Sequence, residues 1–144
     1  MAPRLTQSGG RFTDLSRLRY LIVGKNGFNR GLLIRTLRNF SATDIRETSD
    51  IDFALDMIRT LPPDVIFLDV VSSREDELRL LQVLHESTWH THIPTIILSE
   101  SAHLGKVITA IGLGADSYIA MPYSAETVET HLLKVLKAAS HPGA

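Results

Sequence analysis

What most constrains this chain is the alternation, from Leu18 onward, of short β-branched runs with longer segments of helical periodicity. Parallel strands need a long crossover between them, usually a helix, so this alternation is the pattern of a parallel sheet wrapped by helices. Strands are expected at Tyr20 to Val23, Asp44 to Glu47, Val65 to Leu68, Thr95 to Leu98 and Ser117 to Ala120. Val65-Ile66-Phe67-Leu68 and Ile96-Ile97-Leu98 are apolar at every position, which requires burial on both faces, as at the centre of a doubly wound sheet.

The intervening segments carry one-sided apolar stripes at helical spacing. They are Phe28, Leu32, Leu33 and Leu37; Ile51, Ala54, Leu55 and Ile58; Leu78, Leu81 and Leu84, in a helix from about Glu75 to His85; Leu104, Val107, Ile108 and Ile111; and Val128, Leu132, Val135 and Leu136. Ser49, Ser73 and Ser124 stand where an N-cap side chain accepts the first unpaired amides. The expected fold is α/β: a doubly wound, five-stranded parallel sheet with five helices.

A chain of 144 residues, 44% hydrophobic, is the size of one domain with a sizeable core. That domain is expected over residues 17–140, between a flexible tail at 1–16 and a short one at 141–144. Fifteen Lys and Arg against 16 Asp and Glu leave a net charge of -1, which gives no overall field toward DNA or anionic lipid. The chain has no cysteine, so disulfides and thiolate metal sites are excluded, as fits a reducing compartment. No apolar run approaches the roughly 20 residues that cross a bilayer, and the N-terminus lacks a secretory core, so a cytoplasmic location is expected.

In an open parallel sheet, ligands and chemistry gather at the carboxyl ends of the strands, beside the point where strand order reverses. The loops there hold Gly24, Lys25 and Asn26; Asp69 to Ser73; Ser99 to Ser101; and Met121, Pro122 and Tyr123. Asp69 stands out as a carboxylate emerging directly from a strand that is otherwise wholly apolar.

Four segments in register resemble the receiver domains of bacterial two-component response regulators, the CheY-like, flavodoxin-like fold family. They are Leu21 to Asn26, Pro63 to Asp69, Ile93 to Ser99, and Gly114 to Tyr123, within a match that runs from about Leu18 to Ala138. The resemblance implies strand order 2-1-3-4-5. It makes Asp69 the phosphoacceptor, Ser99 the conserved hydroxyl and Tyr118 the aromatic that changes rotamer on activation. Pro122 matches the proline after the family's catalytic lysine, and the Met121-Pro122 bond is expected to be cis. Three positions depart from the family pattern: Gly24 and Lys25 stand where two acids are expected, and Met121 stands where the lysine is expected. Val70 to Glu75 also replaces the usual loop after the acceptor.

Phosphoryl transfer to a carboxylate needs positive charge around oxygens that are already negative, usually a divalent metal and a basic side chain. Magnesium prefers octahedral oxygen coordination with one or two carboxylates. Gly24 offers no side chain, Lys25 brings a repelling ammonium, and Met121 has no charge and no donor. Losing one such contact costs roughly 3 to 4 kcal/mol of transition-state stabilisation, so no cofactor is expected and magnesium binding should be weak or absent. The Lys25 ammonium is a candidate partner for Asp69 in the metal's place, and such a pair holds the carboxyl down. Ser99 and Tyr118 as packing residues, His90 and His92 as a surface loop, and Arg17, Arg19, Arg30, Arg35 and Arg38 as solvated charges are the plainer readings of those positions.

The expected function is a stand-alone, non-enzymatic, atypical receiver. It acts by docking onto a histidine kinase, a phosphotransfer protein or another regulator, through the surface around its fourth and fifth helices by family analogy. DNA and membrane are not expected partners, and a homodimer is among the assemblies open to it. The alternative is a working phosphoacceptor modified on Asp69 by a histidine kinase or phosphotransfer protein. A nucleotide enzyme lacks support, since no G-x-G-x-x-G, P-loop or nucleophile with an evident base is found.

Overall fold

The computed structural model describes residues 5–8, 11–70, 76–86, 92–100 and 104–140. In chain order the elements are β1 (Leu5–Ser8), β2 (Arg11–Asp14), a 3-10 turn (Leu15–Arg17), β3 (Arg19–Val23), α1 (Gly27–Arg38), β4 (Asp44–Thr48), α2 (Ile51–Thr60), β5 (Val65–Asp69), α3 (Asp76–Glu86), β6 (Thr95–Glu100), α4 (Leu104–Gly112), β7 (Ser117–Met121) and α5 (Ala125–Ser140). Five strands form one parallel sheet in the order β4-β3-β5-β6-β7, which is the 2-1-3-4-5 order expected.

Because side chains alternate along a strand, each strand feeds two cores. Tyr20 and Ile22 of β3, Phe67 of β5, and Ile96 and Leu98 of β6 face α1 and α5, where Leu33, Leu37, Val128 and Leu132 meet them. Leu21, Val23, Ile66, Leu68 and Ile97 face the other way, onto Ala54 and Ile58 of α2, Leu80 of α3, and Val107 and Ala110 of α4. All five residues of β5 are buried, which explains its unbroken apolar run.

The opening stretch, expected as a tail, contributes structure instead. β1 and β2 pair as an antiparallel hairpin, with Ser8 opposite Arg11. Its sequence signal is the Gly9-Gly10 pair between two four-residue runs, too short to register as sustained periodicity. In the turn that follows, the Asp14 carboxylate accepts from the Ser16 amide at 3.0 Å, and Leu15 is fully buried beneath the first core. The Tyr20 hydroxyl donates to the Leu15 carbonyl at 2.7 Å. Burial, then the charges of Asp64 and Asp14, push this phenol well above its ordinary range, so it stays a donor. Residues 141–144 lie outside the described residues.

Two helical stripes also differ from expectation. Leu33 and Leu37 of α1 are buried, yet Phe28 is 74% exposed and Leu32 40%. On α4, Val107 is buried while Ile108 and Ile111 are 66% and 46% exposed. In both helices the apolar face is broader than the sheet can cover, and Ala110, a smaller side chain, takes the inward position on α4. The N-cap of α2 is Asp50 rather than Ser49, its carboxylate accepting from the Phe53 amide at 2.9 Å. Ser124 caps α5 as expected, accepting from the Thr127 amide at 3.1 Å; Ser73 lies outside the described residues. Among the described residues no helix is long and apolar enough to cross a membrane.

Candidate functional site

β5 is central and runs out at the carboxyl edge of the sheet, so its last residue, Asp69, lands at the switch point between β3 and β5. Its side chain is 2% exposed. Burying a carboxylate requires donors, and α1 supplies one: the Asn29 side-chain amide donates to Asp69 Oδ2 at 3.1 Å. Asn29 reaches inward because it is one turn before Leu33 and two before Leu37 on the buried stripe of α1. The helix start is fixed by Asn26, whose Oδ1 accepts from the Asn29 backbone amide at 3.0 Å.

Gly24, the residue just past β3, lies directly against Asp69. A Cβ placed on Gly24 would stand 2.7 Å from the Asp69 Cβ, closer than two such carbons pack. The amide of Gly24 is tied to the Thr48 carbonyl at 3.0 Å. Its carbonyl accepts from the Arg30 guanidinium, whose Nε also pairs with Glu47 Oε1 at 2.7 Å. The backbone at position 24 is therefore held from both sides, and the volume an acidic side chain would need is filled by Asp69 itself. Lys25, the next residue, is exposed.

As a donor set for magnesium this end of the sheet is poor. The three residues that follow Val23 offer a glycine, an ammonium and a cap amide rather than carboxylates. Among the described residues no three His, Cys, Asp or Glu gather into a metal-ion set.

Beyond β5, Ser99 is fully buried and its hydroxyl donates to the Glu100 carbonyl at 3.1 Å. Tyr118 is half-buried at the edge of the α2–α4 core, paired in register with Ile97. The Met121-Pro122 peptide bond is cis. Met121 and Tyr123 pack on the α1–α5 core. Burial first, then the negative charge of Asp69, raise the Tyr123 phenol above its ordinary value, against a hydrogen bond with Thr36.

The other sequence candidates separate into surface contacts. His92 Nε2 sits 2.8 Å from Asp116 Oδ2 at the opposite end of the sheet, a partner 24 residues away that local sequence could not supply; His90 lies outside the described residues. Arg17 pairs with Asp14 at 3.2 Å, Arg19 with Asp44 at 3.3 Å and Arg30 with Glu47, while Arg35 and Arg38 remain exposed, so the arginines do not form one basic patch. Sequence reasoning missed Asn29. The available signal was an amide on the stripe shared with Leu33 and Leu37, where an apolar residue is the default.

The strand order, the buried acid at the switch point and the following proline define a signalling domain of the receiver class, and residues 20–133 match the model of the response regulator receiver domain. The chain belongs to that family. It is 28% identical over 109 residues to the transcriptional regulatory protein TrcR of Mycobacterium tuberculosis, covering 76% of this chain and 42% of that protein. It is 27% identical over 120 residues to the response regulator MprA of Mycobacterium avium, covering 83% and 51%. This chain thus spans about half the length of the curated relatives it matches. The crystal structure of the receiver domain of NtrX from Brucella abortus superposes with a TM-score of 0.72 at 27% identity, covering 82% of this chain and 98% of that one.

Proposed function

We propose that this receiver acts in two-component signalling as an atypical, non-enzymatic, cytoplasmic interaction domain whose magnesium-dependent phosphorylation is impaired. Receiver domains in general work by contact with kinases or other proteins. The observation that carries the atypical part is the contact between Gly24 and Asp69, which leaves no room for a metal-binding acid at position 24. Lys25 and the thioether of Met121 act in the same direction: one repels a divalent cation, and the other withdraws a donor from the incoming phosphoryl oxygens. Lys25 supplies the positive charge beside Asp69 that a metal would otherwise bring. The exposed Ile108 and Ile111 of α4 support docking of a histidine kinase, phosphotransfer protein or other regulator on the α4–α5 side, or of a second copy. DNA, membrane and cofactor have no place in this reading.

The second reading, a working phosphoacceptor, is favoured by one observation: Asp69 keeps its position at the end of β5 with an amide donor on Oδ2. Incubation with a small phosphodonor and magnesium, followed by intact mass, separates the two. We expect no phosphoryl adduct that disappears in Asp69→Asn; a rapid one establishes the second reading. By calorimetry, Lys25→Asp should bind magnesium more tightly than the parent chain. Unchanged affinity would show that the lysine charge is not the obstacle.

A further inference from the structure

A cleft of about 540 Å³ lies between α1 and the segment that joins β7 to α5. That volume is within the range of small-molecule sites, which pair an apolar wall with a few placed polar groups. Leu32, Met121 and Tyr123 make the wall here. Met121 decides its character, because a thioether packed on the core lines the cleft with polarisable, uncharged surface.

The polar groups are distributed in a definite way. Glu100, at the end of β6, and Arg35, in the last turn of α1, both line the cleft and both are exposed. Neither belongs to any of the ion pairs formed among the described residues. Asn29, which also lines the cleft, marks the end nearest Asp69, whose charge is felt at Tyr123. Asn29 and Arg35 stand six positions apart on α1, a rise of ~9 Å at 1.5 Å per residue. The cleft therefore carries negative charge from Glu100 at the sheet's carboxyl edge and positive charge from Arg35 further along α1, with Leu32, Met121 and Tyr123 as its apolar wall.

We propose that this cleft binds a small zwitterion of dipeptide size, its ammonium toward Glu100, its carboxylate on Arg35, and its apolar body on Leu32, Met121 and Tyr123. A free α-amino acid carries its charges side by side, whereas a dipeptide separates them and has the bulk for a cleft of about 540 Å³. A guanidinium suits the carboxylate end because it can bind both oxygens at once. This site does not require Asp69 to accept a phosphoryl group: the charges that recognise the ligand are Glu100 and Arg35, and Asp69 is linked to the cleft through Asn29.

The test is an amide NMR titration of the full chain with leucylphenylalanine, its N-acetyl form, its C-terminal amide, and free phenylalanine. We expect saturable shifts in α1, in residues 121–123 and in the Asn29 and Asn39 side-chain amides, with a dissociation constant at or below about 1 mM. Removing either ligand charge, or using phenylalanine, should weaken binding at least roughly tenfold. Arg35→Gln should bind the acid and the amide alike, and Glu100→Gln should bind the free and acetylated amines alike. Shifts that fail to saturate by about 10 mM, that map outside the cleft, or that are indifferent to both substitutions overturn the proposal. So does binding of a helical partner protein to this face by a chain that takes no dipeptide.

Discussion

At the residue scale, the smallest residue of the site stands where a Cβ has no room. The 2.7 Å from a Cβ on Gly24 to the Asp69 Cβ means that even alanine must move the end of β3, which the Thr48 carbonyl and the Arg30 guanidinium hold in place. Overpacking of this kind costs about 1 to 3 kcal/mol, offset by the few tenths to 1 kcal/mol that a glycine-to-alanine change gains through the unfolded chain. Gly24→Ala should therefore lower stability by about 1 to 2 kcal/mol in urea unfolding and displace the Asn29 side-chain amide resonance, the reporter of its bond to Asp69. From sequence, Gly24 was legible as a missing carboxylate, but not as filled space, because a sequence does not say how close two strand ends come. Asp69 was legible because a carboxylate directly after four apolar residues stands out and the resemblance of the flanking segments gave it a role; Asn29 was not, because its partner is 40 residues away.

Helices and strands were legible to different degrees, and the difference has a physical cause. The central strands were readable to within a residue or two because burial on both faces gives each an unbroken apolar run, Val65 to Leu68 and Ile96 to Leu98. Helical faces were misread where apolar residues outnumber the contacts available: Phe28 and Leu32 on α1, and Ile108 and Ile111 on α4, continue the periodicity yet face outward. The short N-terminal hairpin fell below the length at which periodicity is visible. Within α1, Gly31 is an exposed interior residue with nothing within 4 Å of a Cβ built on it. Gly31→Ala should thus stabilise the protein by about 0.5 to 1 kcal/mol, the helix-propensity difference. The same chemical change at Gly24 and Gly31 is expected to have opposite signs in one urea series, and equal signs would contradict the packing described for β3.

At the scale of the whole molecule, α5 is joined to the sheet edge by a titratable contact: His131 Nδ1 lies 2.5 Å from the Ser117 hydroxyl of β7. Burial, and then the charge of Lys134, hold this imidazole below its ordinary value of 6.5. A group that gives up its proton more readily when folded binds more protons unfolded, so stability rises with pH through the interval below 6.5 and is lost on acidification through it. Denaturation midpoints of the parent chain and His131→Gln, compared from pH 7 downward, should diverge there, with the variant less sensitive; parallel curves would remove His131 from the balance. A last consequence follows from the turn ahead of the sheet. The family match begins at residue 20, yet Leu15 plugs the first core and its carbonyl receives the Tyr20 hydroxyl. Anyone excising this unit at the edge of its recognisable signature would cut inside its physical boundary, leaving an unfilled hole and a buried phenol with no acceptor.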